Sequence, residues 1–214
     1  MELRLFLLGT TLFPGAVLPL HVFEERYKQM INECLSEKSP FGVVLIRQGT
    51  EVGDSADAFE VGTTAYITQV QRLDDGRMNL LTSGRERFRI LEMLRSAPYA
   101  SAQVEILESV NDVVGDALGE DVRSLFIDYS RLYLAVSGQW ARTVSTPPNP
   151  ETLSDFVAAQ LAVGQRQKQR LLETLSVKSR LQAEASLLEE ATRQLRPQVR
   201  TALAQKWGSS ATLN

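Results

Sequence analysis

The chain of 214 residues is poor in the side chains that catalytic and metal sites use most, because it holds one histidine and one cysteine. A single cysteine, Cys34, excludes an internal disulfide and a cysteine-based zinc site, and it suits a reducing compartment. A single histidine, His21, excludes the histidine pair of a helical zinc site. The sequence therefore predicts no metal, no cofactor and a cytoplasmic location.

Long hydrophobic runs and a strong charge of either sign are also missing. No apolar run approaches the roughly 18 residues that a membrane span requires. The apolar amino terminus begins with an acidic residue and is interrupted by Pro14 and Gly15, unlike a signal peptide. The formal charge is -3 and the pI is about 5.4. This balance argues against nucleic acid as the main ligand, since that binding relies on Lys and Arg neutralising phosphates.

Motifs for nucleotide binding and catalysis are absent as well. The two Lys-Ser pairs, at residues 38–39 and 178–179, follow glutamate and valine, whereas a P-loop needs a glycine there. The nearest approach to a nucleophile elbow, GDSAD at residues 53–57, lacks the final glycine and lies in a polar loop. Cys34 lies on the apolar stripe of a predicted helix and reads as an inert, packed thiol. We therefore predict that the chain is not an enzyme.

The first hundred residues have mostly strand character, with one helix. The patterns predict a helix over residues 24–37 and strands over residues 3–8, 16–22, 41–46, 61–73, 77–83, 85–94 and 99–107. Phe13-Pro14-Gly15 and Asp74-Asp75-Gly76 are turn signals. Because Pro19 cannot donate to a ladder, the second strand should lie at an edge or at a bulge. The set indicates a compact, partly closed β-barrel.

At about residue 108 the apolar period becomes helical. A long amphipathic helix is predicted over residues 116–136, and another begins at Asn149-Pro150-Glu151 with an N-cap, an N1 proline and a first-turn acid. Two more are predicted over residues 165–175 and 177–195, ending before Pro197. The sequence thus predicts an α+β protein with a β-barrel domain over residues 1–108. A helical bundle with a loose terminal tail follows over residues 109–214.

Three arginines alternate with other residues in the segment GRERFRI. Arg85, Arg87 and Arg89 fall on one face of a strand, and the residues between them fall on the other. One interpretation is a solvated strand face above a core face. The other is a small basic strip for an anionic partner, and the sequence leaves both open.

Several segments, in order, resemble the amino-terminal domain of the ATP-dependent protease Lon. They are LFLLGTTLFPGAVLPLHVFEERYKQMINECL, FGVVLI, VGTTAYITQVQRLDDGRMNLLTSGRERFRIL and PYASAQVEIL, followed by NPETLSDFVAAQLAVGQRQKQRLLETLSVKSRLQAEASLLEE. The resemblance implies a PUA-like β-pseudobarrel followed by an α-helical bundle. In Lon this region helps to recognise substrates and contributes to oligomer assembly. The ATPase and Ser-Lys protease domains lie further along, so the resemblance implies a stand-alone form without hydrolytic activity.

The stretch from Thr11 to Phe23 carries more apolar side chains than a turn and an edge strand need. These side chains either plug the barrel or form a rim that binds an extended peptide. The candidate peptide-binding residues are Leu12, Phe13, Pro14, Leu18, Pro19, His21 and Phe23. Our leading hypothesis is a non-catalytic module that captures exposed apolar segments of unfolded or misfolded polypeptides in protein quality control.

The expected partners are therefore such polypeptides, a protease or chaperone that receives them, and a second copy of the chain through the helical bundle. Two other functions stay open at this point. PUA-like barrels include RNA readers, so RNA binding is the alternative that the fold suggests. A small-molecule or enzymatic cleft around His21 and Glu24 is the other.

Overall fold

The computed structural model describes residues 1–49, 57–95, 98–110, 112–139 and 143–208. Within them the chain is an α+β protein with a mostly antiparallel sheet. The strands are β1 (Glu2–Leu8), β2 (Val17–Val22), β3 (Phe41–Gln48), β4 (Asp57–Ala58), β5 (Val61–Arg72), β6 (Met78–Arg95) and β7 (Ala100–Leu107). The helices are α1 (Glu25–Glu37), α2 (Asp116–Val136), α3 (Pro150–Gln160), α4 (Gln165–Glu173) and α5 (Val177–Gly208).

Strand pairing runs round a closed ring. The order is β1-β7-β6-β5-β3, and β1 also pairs in parallel with β3, which joins the two ends. Two strands lie off the ring: β2 pairs with the first part of β6, and β4 pairs with β3. The predicted position of β2 at an edge is confirmed, and its Pro19 stands opposite Leu81 of β6.

The long strand β6 differs from the sequence-based prediction, which divides it at Gly84. The Gly84 N–H donates to the Ala16 carbonyl, and the Gly84 carbonyl accepts from the Gly15 N–H, both at 2.9 Å. A Cβ on Gly84 would lie 2.4 Å from the Phe13 carbonyl oxygen. Glycine is therefore required here for the close approach of the turn at residues 13–16, and it does not end the strand.

The main core of the strand region lies under α1. Its buried residues Tyr27, Met30, Ile31 and Cys34 form the stripe that the sequence predicts. They pack in one cluster with side chains from several strands, and the ring of Tyr27 stacks on Phe6 with 3.9 Å between centroids. The helix is thus fixed on the sheet by aliphatic and aromatic packing.

Periodicity and capping residues in the sequence predicted most of the helix ends correctly. The helix α2 has the predicted bounds. Gly138, two residues after its end, has a φ of 71°, and the Gln139 N–H donates to the Leu134 carbonyl. Asn149 Oδ1 accepts from the Glu151 N–H at 2.9 Å, as expected of an N-cap.

The predicted end of the last helix before Pro197 is wrong, because α5 continues to Gly208 with Pro197 inside it. A proline removes one hydrogen bond, to the fourth preceding carbonyl, and leaves the other bonds of a helix in place. Pro197 is exposed. The predicted loose tail lies largely outside the described residues.

The chain divides into two compact units. The first contains Met1–Val110 and Ala158–Leu175, and the second contains Asn111–Val157 and Ser176–Asn214. Residues 158–175, which the sequence analysis assigns to the helical domain, are therefore grouped with the strands. The buried Gln169 side chain donates to the Val61 carbonyl at 2.9 Å, and Arg87 Nε donates to the Leu172 carbonyl at 3.0 Å. These bonds and two buried leucines hold α4 in the first unit.

In the second unit α2 packs against α5, and a polar cluster is buried between α3 and α5. Arg180 Nε donates to Ser154 Oγ at 2.6 Å, and Ser154 Oγ donates to Glu184 at 2.7 Å. Arg180 and Glu184 are both fully buried. No helix among the described residues combines the length and the hydropathy needed to cross a membrane.

Candidate functional site

The apolar stretch at residues 11–23 divides into a buried part and an exposed part. Leu12 is 4% exposed and Phe13 is fully buried. The Leu12 carbonyl accepts from the buried Thr63 hydroxyl at 2.6 Å. The Ala16 N–H donates to the Phe13 carbonyl, and Gly15 has a φ of 76°, as in a type II turn with proline at its second position. This first part is a core plug.

The second part, β2 and the residue after it, alternates between core and solvent. Leu18 and Leu20 are partly buried against the core, and Val22 is buried. The opposite face is exposed and mostly apolar: Val17 is 60% exposed and Phe23 is 51% exposed. The seven candidate residues are thus separated: Leu12 and Phe13 are buried, Pro14 and Leu18 are half-buried, and Pro19, His21 and Phe23 are exposed.

One edge of β2 is open among the described residues, since β2 pairs only with β6 there. The Ala16 carbonyl accepts from the Gly84 N–H, and the Leu18 carbonyl accepts from the Thr82 hydroxyl, so the carbonyls of these even-numbered residues point towards β6. By the alternation of an antiparallel pair, the odd-numbered residues direct their main-chain groups towards the open edge. An extended segment could pair with these groups, except at Pro19, which has no N–H.

A small cleft adjoins β2. Its volume is about 160 Å³, its apolar wall includes Phe6 and Leu8 of β1 with Tyr27 of α1, and Phe23 lies at it. Sites for drug-sized molecules usually have about 300–1,000 Å³. The cleft therefore suits a single apolar side chain better than a whole small molecule.

His21 and Glu24 both line this cleft, but their hydrogen bonds lead elsewhere. His21 Nδ1 lies 2.7 Å from Asn79 Oδ1, and Glu24 accepts from Arg26 at 3.0 Å. Cys34 is buried, and its burial raises the pKa of the thiol. Among the described residues, these contacts give the enzymatic hypothesis no acid–base pair and no activated nucleophile at this cleft.

The arginines of GRERFRI do not share one solvated face. Arg87 is 3% exposed and bonded to α4, whereas Arg85 is exposed and stacks on Tyr66 at 4.5 Å. The register of β5 and β6 shifts between Thr63 and Ala65, and this separates Arg85 from Arg87 and Arg89. Arg87 and Arg89 keep the alternation of one face, but Arg87 is buried where it bonds to α4. The proposed basic strip therefore lacks Arg87, its middle residue, on the surface.

Sequence reasoning missed a second cavity, of about 400 Å³, between β1 and the last turns of α1. Arg4 lies in it and pairs with Glu33 at 3.2 Å and with Glu37 at 2.7 Å. Tyr99, the residue before β7, donates to Glu33. An arginine inside an apolar strand is a weak signal for such a site, because its partners are distant in the sequence.

Comparison with known proteins gives a family and a set of relatives. A family model for the ATP-dependent protease La (LON) substrate-binding domain matches residues 2–190. The Lon protease of Anaeromyxobacter dehalogenans is 29% identical over 184 residues, covering 84% of this chain and 22% of that protein. Lon protease 2 of Myxococcus xanthus is 30% identical over 184 residues, with the same coverage of 84% and 22%. The chain spans about a fifth of the length of these relatives.

Two solved structures share the fold. A Lon N-terminal domain protein from Xanthomonas campestris aligns with a TM-score of 0.66 and 26% identity, covering 85% of this chain and 95% of that one. The N-terminal domain of the Mycobacterium avium complex Lon protease aligns with a TM-score of 0.58 and 20% identity, covering 88% and 98%.

Proposed function

Because the chain belongs to the ATP-dependent protease La (LON) substrate-binding domain family, we propose that it is a non-catalytic module that binds exposed apolar segments of unfolded or misfolded polypeptides. The observation that carries this proposal is the exposed face of β2. Val17 and Phe23 are each more than half exposed, beside an open strand edge and a cleft sized for one side chain. An exposed apolar side chain beside a cleft and an unpaired strand edge offers both apolar contacts and main-chain hydrogen bonds to an extended segment.

The bound segment is extended in this proposal. It pairs with the open edge of β2 and places one apolar side chain in the cleft against Phe6 and Tyr27. Pro19 limits the pairing to short stretches on either side of it, and this also prevents copies of the chain from pairing edge to edge. Binding then depends on apolar side chains more than on a long ladder of hydrogen bonds.

The finer expectations from the sequence are part of the same proposal. The strand ring is a PUA-like β-pseudobarrel, and the helices of the second unit form a bundle through which copies of the chain associate. A protease or chaperone receives the captured polypeptide, and the protein works in the cytoplasm in quality control. The comparisons give no support to RNA binding as an alternative.

Binding of fluorescently labelled, reduced casein, followed by anisotropy, tests the proposal. We expect micromolar binding by the wild type and at least about tenfold weaker binding by Val17→Asp and Phe23→Asp, equivalent to about 1.4 kcal/mol. The matched control is Val113→Asp, because Val113 is 90% exposed and belongs to the other unit. The proposal fails if the folded wild type does not bind, or if the two β2 variants bind as the control does.

A further inference from the structure

The cavity beside Arg4 has a pattern of charges that the proposed function does not use. Its lining residues include three that carry a carboxylate, Glu2, Glu33 and Glu37, and two that carry a positive charge, Arg4 and the amino-terminal Met1. The Met1 amino group donates to the Val104 carbonyl at 2.8 Å. The carboxylates thus outnumber the positive groups, and the cavity favours a cation.

Arg4 is already engaged by the protein itself. Its Nε faces Glu33 at 3.2 Å, Nη2 donates to Glu37 at 2.7 Å, and Nη1 donates to Ser39 at 3.4 Å. A guanidinium held on three sides in this way has little capacity left for an incoming anion. The cavity therefore offers acceptors to a ligand more readily than donors.

Three acceptors in the cavity lack a recorded partner among the described residues. One is the Ser101 hydroxyl, which lines the cavity although Ser101 is only 1% exposed. The others are the second carboxylate oxygen of Glu37 and the carboxylate of Glu2. A buried hydroxyl without a hydrogen-bond partner is destabilising, so a ligand that bonds to Ser101 Oγ gains affinity from doing so.

We propose that this cavity binds the ammonium or guanidinium group of a lysine or arginine side chain. Either group presents several donors at one end of a long apolar stem. The donors match the carboxylates of Glu2 and Glu37 and the Ser101 hydroxyl, and the volume of about 400 Å³ accommodates the stem. The binding of a polypeptide side chain here rests on the proposed function.

The same two elements carry this cavity and the apolar cleft. Arg4 lies at the cavity, whereas Phe6 and Leu8, on the same face of β1, lie at the cleft. The four residue steps of β1 from Arg4 to Leu8 span about 13 Å, and an extended ligand covers that distance in about four steps of its own. The favoured polypeptide segment therefore has an apolar residue and a basic residue about four positions apart.

A small cation tests the cavity without any polypeptide. We expect n-butylammonium, at roughly 10 mM as suits millimolar affinity, to move the backbone amide NMR signals of Glu37 and Ser101. The uncharged n-butanol, which has the same carbon chain, should leave them in place. In Glu2→Gln, which alters an exposed side chain with no recorded partner, the cation should move them less. Unmoved signals in the wild type would overturn the inference.

Two labelled peptides test the polypeptide source. They share a phenylalanine and differ four positions later, where one has lysine and the other has glutamine. We expect the lysine peptide to bind the wild type about fivefold more tightly, as for one partly exposed ion pair of about 1 kcal/mol. Added salt should reduce this preference. The variant Glu2→Gln/Glu37→Gln should lose it, whereas Glu105→Gln, on an exposed site of β7, should keep it.

The outcomes separate the two proposals. Equal binding of the two peptides to the wild type overturns the basic-residue preference and leaves the proposed function standing, since both peptides still bind. If neither peptide binds and casein does not bind either, the proposed function fails. In that case the amide signals of Ser101 with n-butylammonium test cation binding by the cavity independently of any polypeptide.

Discussion

Phe13 and Phe23 belong to one apolar stretch, and the structure predicts opposite consequences for their replacement by alanine. Phe13 is fully buried, whereas Phe23 is 51% exposed. Replacing a buried phenylalanine by alanine costs about 3–5 kcal/mol, because transfer free energy is lost and a cavity remains. Full burial of such a side chain is worth about 1.5–3 kcal/mol, so the half-exposed Phe23 should cost about 1 kcal/mol.

Thermal unfolding followed by circular dichroism measures the difference. For a chain of about this size, 1 kcal/mol shifts the midpoint by about 2–4 °C, so Phe13→Ala should lower it by roughly 6–20 °C and Phe23→Ala by a few degrees. We expect casein binding to rank the two variants the other way, with the larger effect from Phe23→Ala. At a temperature where both variants are folded, Phe23→Ala should bind several-fold more weakly, and Phe13→Ala should bind as the wild type does.

Two results would refute this reasoning. If Phe23→Ala lowers the midpoint as much as Phe13→Ala does, then Phe23 contributes to the core and cannot be a free contact. If folded Phe13→Ala loses binding while Phe23→Ala retains it, the plug and the rim are assigned the wrong way round. Leu12→Ala, whose side chain is 4% exposed, should behave as Phe13→Ala and serves as a second core variant.

Two further changes follow from particular contacts. Gly84→Ala should lower the free energy of unfolding by about 1–3 kcal/mol or more, because its Cβ would lie 2.4 Å from the Phe13 carbonyl oxygen. Gly119→Ala in α2, where a Cβ meets nothing within 4 Å, should raise it by about 0.5–1 kcal/mol; urea midpoints that move in the same direction would contradict the geometry. The Tyr99 hydroxyl, with Gln29 and Arg4, holds the pKa of Glu33 below its ordinary 4.5. This lowered pKa stabilises the folded state above pH 4.5, and the stabilisation is lost as the pH falls through the folded-state pKa of Glu33. Glu33→Gln should therefore flatten the acid limb of the stability profile, and an unchanged limb would argue against this assignment.

Much of the secondary structure was readable because its signals are local. The stripe of α1, the bounds of α2 and the N-cap at Asn149 depend on residues within a few positions of one another. Pro19 marked an edge strand for a similar reason, since it lacks the N–H that a central strand must donate. The ordered segments also indicated the Lon substrate-binding family, which the family match over residues 2–190 confirms.

The errors concern residues whose environment depends on distant parts of the chain. Gly84 resembles a strand break in sequence, but in space it allows the turn at residues 13–16 to approach β6. Arg87 has the spacing of a solvated face, yet it is buried because α4 lies over it and accepts its hydrogen bond. Pro197 removes one bond of a helix that is otherwise continuous.

The sequence by itself determined the element types, the edge position of β2 and the family, because periodicity, capping and proline chemistry act over a few residues. Only the tertiary structure decided that Leu12 and Phe13 are core while Val17 and Phe23 are exposed. It alone joined Arg4 to Glu33, Glu37 and Tyr99 in one cavity. The physical reason is that burial and charge pairing depend on which elements pack together, and apolar residues have the same hydrophobicity in a plug as on a rim.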